Sequence, residues 1–174
     1  MRPNTLRTSR DRNAVYTHRV TNPFMARAIQ LSIDNVRTAR GGPFGAVVVR
    51  AGEIIAEGVN RVTSTNDPTA HAEVVAIREA CRKLQLFELK GCEIYASSEP
   101  CPMCFGAIYW ARLDRVYFGN TAADASKAGF DDSLVYLEIP RPHSQRKIPM
   151  IQLMHDEALE AFRVWEQQPN KLRY

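Results

Sequence analysis

The sequence predicts a three-layer α/β fold, a sheet with helices on both faces, on three observations. Short β-branched runs alternate with runs of helical period, the pattern of a sheet clothed by helices. The 174 residues are 45% apolar and 24% charged, which suits a single domain with a real core and excludes a disordered chain. No apolar run approaches the roughly 20 residues that span a bilayer, and the N-terminus lacks the apolar stretch of a signal peptide. A cytoplasmic location and no membrane partner are therefore expected.

Residues 1–20 hold five arginines and one acid and show no sustained apolar period, so they read as a mobile extension. The remainder, the domain at 21–174, has as many basic as acidic residues, which puts the net charge of +4 in the tail. A domain that grips a polyanion carries its positive excess on the folded surface, so nucleic acid is not an expected partner.

After the start signal Asn22-Pro23, the residues Phe24, Ala28, Leu31 and Val36 follow helical spacing until Gly41-Gly42 ends the helix. Residues 44–50 and 53–59 form two strands around Ala51-Gly52, a hairpin with Asn60 at its exit. A helix over 68–84, opened by Asn66-Asp67-Pro68, buries Val74, Ile77 and Ala80. Residues 92–96 are a short buried strand, and 103–111 are apolar nearly all round, as in a helix packed on both sides. A fourth strand at 115–119 and a short helix at 122–128 lead to an acidic turn, Gly129-Phe130-Asp131-Asp132. Beyond Pro140, Pro142 and Pro149, residues 151–154 are expected as a fifth strand and 156–167 as an amphipathic helix with Leu159, Phe162 and Trp165 on one side.

Within this frame the chemistry concentrates in two motifs, His71-Ala72-Glu73 and Glu99-Pro100-Cys101-Pro102-Met103-Cys104. With Pro102 starting a helix, Cys101 and Cys104 lie on one side of its first turn. Two thiolates and the His71 imidazole make three ligands, the number that leaves zinc an open position for water. A water bound there has its pKa lowered from about 15.7 toward roughly 7, and Glu73 is the natural proton carrier beside it. His71 and Glu73, two residues apart, both reach one ion only if it lies over a helix end, so two helix N-termini should converge on the metal and favour thiolates. A C-x-x-C alone would equally suit a structural zinc site or a redox pair; H-x-E followed by P-C-x-x-C is the zinc deaminase signature. Cys81 and Cys92 fall in apolar segments and read as buried free thiols.

Further segments carry a specific resemblance: Gly41-Gly42-Pro43-Phe44-Gly45-Ala46, Asn66 to Glu73, Glu99 to Cys104, Gly106-Ala107-Ile108-Tyr109-Trp110 and Ala128-Gly129-Phe130-Asp131-Asp132-Ser133. Together they resemble the bacterial guanine deaminases of the cytidine deaminase fold, from about Phe24 to the C-terminus. The resemblance implies a five-stranded mixed sheet and one zinc per subunit held by His71, Cys101 and Cys104. It also implies hydrolysis of guanine to xanthine and ammonia, with Glu73 and Asp132 catalytic. Asn60 would hydrogen-bond the purine base, with Phe44, Ala72 and Trp110 at the same pocket. It implies a homodimer that exchanges about residues 150–174, Tyr174 completing the partner's pocket. Ser98 departs from the family, which often carries cysteine there.

From the residues alone, Phe44 and Trp110 suit core packing, Asn60 could close a turn, and an acid such as Asp132 commonly stabilises one. Guanosine, a triazine such as ammeline, and the adenosine of a tRNA are rival substrates, and a zinc-stabilised scaffold is the non-enzymatic rival. Glu73 argues against the scaffold, because a structural site needs no carboxylate.

Overall fold

The computed structural model describes residues 21–173; the arginine-rich extension at 1–20 and Tyr174 lie outside the described residues. The chain order is α1 (Pro23–Arg37), β1 (Gly45–Arg50), β2 (Glu53–Val59), α2 (Val62–Thr65), α3 (Ala72–Leu84), β3 (Cys92–Ser98), α4 (Pro102–Trp110), β4 (Arg115–Asn120), α5 (Ala122–Lys127), α6 (Ser133–Glu138) and α7 (His155–Gln167), with a 3-10 turn at His143–Gln145.

The sheet has four strands in the order β2-β1-β3-β4. β1 pairs antiparallel with β2 and β3, and β3 pairs parallel with β4, so the sheet is mixed. Ala51 and Gly52 join β1 to β2 with φ of 50° and 81°, the primed turn whose twist matches that of the strands. Alternation along β1 then divides the core. Val47 and Val49 face Ala28 of α1 together with Tyr95, whereas Ala46 and Val48 face Ala72, Ala76, Ile77 and Ala80 of α3 together with Ile94 and Ala96. Period 2 in the strand thus places one helix on each face of the sheet.

Four expectations need correction. Residues 151–154 form no strand, and Ile151 stands 78% exposed; an alternating run makes a strand only where an edge accepts its backbone, and among the described residues neither outer strand does so. The helix expected from 68 begins at Ala72, because Asn66 ends α2 in the left-handed region and Asp67 is spent on a turn, accepting from Thr69 N–H at 2.8 Å and Thr69 O–H at 2.7 Å. α4 is not packed on both sides: Cys104 and Ile108 are buried while Phe105, Tyr109 and Trp110 are exposed. On α1 the buried stripe is Ala28, Ser32 and Asn35, with Val36 outside it.

The strands end together where the chemistry lies. The start of β1 and the C-terminal ends of β2, β3 and β4 share one rim of the sheet, the side on which open α/β sheets bind ligands.

Candidate metal centre and active site

Two helix caps meet at this rim. His71 is the N-cap of α3 and Cys101 the N-cap of α4, with Cys104 within the first turn of α4. Pro102 at the first position of α4 has the φ a helix needs and no N–H to waste. The start of α3 is seated by Gly58 in β2: a Cβ there would lie 2.1 Å from the carbonyl oxygen of Ala72, so only glycine lets helix and strand approach this closely.

His71 Nδ1 lies 3.5 Å from Cys101 Sγ and 3.6 Å from Cys104 Sγ, and the three donor atoms all fall within 4.8 Å of one another. A tetrahedral zinc with bonds of about 2.05 Å to nitrogen and about 2.3 Å to sulfur separates those atoms by about 3.5 Å. One imidazole and two thiols at this spacing therefore fit zinc.

The electrostatics single out Cys101 as the thiolate of the set. The hydrogen bond from Cys104 pulls the Cys101 thiol down to about 4, while the same bond, with burial, pushes Cys104 up. His71 is raised, chiefly by its bond to Cys101. Glu73, on the first turn of α3 and 6% exposed, is raised chiefly by burial, the direction that suits a carboxyl that both takes and gives protons.

A cavity of about 390 Å³ opens beside these groups. His71, Glu73 and Cys101 line it together with Gly42, Phe44, Asn60, Ala125, Phe130 and Asp132. Phe44 packs edge-on against Phe130 at 4.9 Å between ring centroids, an apolar patch of the cavity lining against which a flat ring can lie. Asp132 is raised, first by desolvation and then by the Cys101 charge. Asn60 Oδ1 accepts from the N–H groups of Gly42 and Val62, 3.3 Å each.

The structure thus gathers Glu73, Asp132, His71, Cys101, Asn60 and Phe44 at one cavity, with Cys104 behind it. Two expected residues do not line it. Ala72 is buried against the sheet. Trp110 is 69% exposed, because α4 leads away from the site and nine residues of helix carry the chain about 13 Å. Tyr174 lies outside the described residues.

Other lining residues had no role in the sequence reading. Phe130 sits in a turn motif whose acids drew the attention; an aromatic beside them was the available signal. Glu99 bonds the N–H of Ala122 at 2.9 Å and so seats α5 at the rim, a tertiary contact with no trace in spacing. Ser98 lines the cavity too, its hydroxyl buried without a partner among the described residues.

Comparison with known proteins agrees with this geometry. The family described as the cytidine and deoxycytidylate deaminase zinc-binding region matches residues 19–120. Guanine deaminase of Bacillus subtilis (strain 168) is 52% identical over 151 residues, 87% of this chain and 97% of that protein. Its X-ray structure superposes with a TM-score of 0.86 at 51% identity, covering 88% of this chain and 99% of that one. A structure of guanine deaminase from Nitrosomonas europaea has a TM-score of 0.60 at 33% identity, covering 81% of each chain. The tRNA-specific adenosine deaminase of Aquifex aeolicus is 47% identical over 87 residues, 50% of this chain and 56% of that protein.

Proposed function

The chain belongs to the cytidine and deoxycytidylate deaminase family, and on that premise we propose that it hydrolyses guanine to xanthine and ammonia. The observation that carries this reading is the single cavity at which two carboxyl groups, an amide and a pair of aromatic rings face a three-ligand metal site. The likeness to guanine deaminase runs over 87% of the chain, against 50% for a tRNA-specific adenosine deaminase.

His71, Cys101 and Cys104 hold the zinc, which when bound supplies the Lewis acid that makes water nucleophilic near neutral pH. Glu73 takes a proton from the attacking water and passes it to the ring nitrogen next to C2, lowering the barrier at both stages. Asp132, at the same cavity, protonates the departing amine and takes the proton of the new C2 hydroxyl as the carbonyl forms, so water and guanine leave as ammonia and xanthine. Phe44 and Phe130 fix the plane of the base, and Asn60 bonds its edge.

The active species in this reading is a cytoplasmic homodimer that exchanges about residues 150–174, with Tyr174 completing the partner's pocket. Support comes from apolar surface that one chain leaves uncovered: Phe105 and Tyr109 on α4, and Ile151, Leu153 and Phe162 near the C-terminus, are all exposed. A reducing compartment suits the thiolate ligands.

The reading is tested by incubating zinc-loaded protein with guanine, guanosine, adenosine, cytosine and ammeline while following ammonia and, for guanine, xanthine. Turnover of guanine with little from the others is expected. Zinc without turnover of any of them would leave a scaffold role.

A further inference from the structure

We propose that Asn35 is a positioning residue for the purine site: it holds Asn60 with its amide nitrogen toward the base and so favours an oxo over an amino group at ring position 6. The inference deepens the guanine reading and rests on it.

Asn35 lies on the buried stripe of α1 and is 3% exposed. Its Nδ2 donates to the carbonyl oxygens of Gly42 and Asn60, 2.9 Å each. That orientation is forced, since the flipped amide would set an oxygen against two oxygens. Asn35 Oδ1 is consequently buried with no partner among the described residues. An unpaired buried acceptor is costly, and a position needed only for packing would be better served by an apolar side chain. The two bonds of Nδ2 are what the cost secures.

Those bonds tie together the wall on which the base rests, because Gly42 and Asn60 both line the cavity. Asn60 is clamped from three sides. Its carbonyl accepts from Asn35; Gly41 lies against the same carbonyl so closely that a Cβ would come within 2.2 Å of the oxygen; and its Oδ1 accepts the N–H groups of Gly42 and Val62. With the oxygen committed to two backbone donors, the Asn60 nitrogen is the group left for the base, and it is a donor only. A fixed donor bonds a ring carbonyl but opposes an amine hydrogen to hydrogen, which is discrimination by mismatch. Without Asn35 the Gly42–Asn60 wall loses its brace, and the amide can turn its oxygen to the base.

The test is steady-state kinetics of zinc-loaded Asn35→Ala, with 2,6-diaminopurine, which carries an amine in place of the 6-oxo group of guanine, as competitor. The KM for guanine should rise about tenfold with kcat within about threefold, as for lost ground-state binding. The ratio of the competitor's Ki to that KM should fall about tenfold. Neither constant depends on how much of the protein is folded, so a weakened variant still reports. Asn35→Ser, which keeps one donor in the same space, should recover part of the selectivity, and it carries the same measurement if the alanine variant is insoluble. An unchanged Ki-to-KM ratio, or a loss confined to kcat, overturns the proposal. Failure of the guanine reading is seen separately, as a wild-type protein that releases no ammonia from guanine.

Discussion

The two parts of the chain on either side of Asn120 are built on different principles. Before it, strands and helices bury a two-sided core, from Ala28 to Ala111. After it, none of the described residues is buried, although α7 has the apolar stripe of a packed helix and α6 carries Leu134 and Val135 into the solvent. The first part finishes its core by its own contacts, apart from the exposed face of α4. The second leaves its apolar side chains exposed, which is the surface the proposed exchange would cover. The cavity straddles the divide, with the metal ligands and Glu73 on the finished part and Phe130 and Asp132 on the other.

Disturbing the first part should therefore affect chemistry and stability most, and disturbing the second should affect assembly, with a smaller loss of chemistry at Asp132. The largest effect is expected from Glu73→Gln, which keeps shape and zinc and removes the proton carrier: kcat should fall by about 10³ or more, read together with metal content. A variant with most of its kcat would take Glu73 out of the mechanism. Asp132→Asn is expected to lower kcat by about 10²; if its loss matched that of Glu73→Gln, chemistry would not be concentrated on the finished part. Phe162→Asp puts a charge on the uncovered stripe of α7 and should shift the sedimenting species from dimer to monomer with residues 23–120 still folded. An unchanged mass would remove α7 from the interface.

The smallest effect belongs to the Arg27–Glu57 pair, which joins α1 to β2 through two bonds of 2.7 Å. Both side chains are more than a third exposed, so Arg27→Ala should cost under about 1 kcal/mol in urea unfolding. Its hydrogen bond to Arg27 holds the Glu57 carboxyl below the ordinary carboxylate range. The contribution is therefore present above that ordinary range and lost as pH falls through the lowered value. A difference between wild type and Arg27→Ala that grows as pH drops would refute the assignment.

What could be read from the sequence follows the same division. The hairpin, β3 and the helix bearing Val74 to Ala80 were legible because their periodicity is answered by neighbours in the same chain. The ligand set was legible because metal geometry demands fixed spacings. The segment 151–154 was misread because an alternating pattern does not say which edge receives it. Trp110 does not reach the cavity within one chain, because a motif gives proximity in sequence, whereas α4 carries its far end away from the rim. The start of α3 was missed at Asp67, whose side chain closes a local turn and not the first turn of the helix. Asn35 left no signal, since an amide on a helix looks the same in solvent as braced against two buried carbonyls.

The three long helices of the finished part begin in different ways. α1 has its own cap, Asn22, whose side chain accepts two backbone N–H groups at 3.0 Å. The caps of α3 and α4, His71 and Cys101, make no such bond; their side chains are turned to each other. An ion held by these two residues would stand in for two missing caps, its charge balanced by the Cys101 and Cys104 thiolates at the positive end of α4. Stripping it would then fray two helices from the same point, so a metal bound here would pin the architecture as well as supply the chemistry.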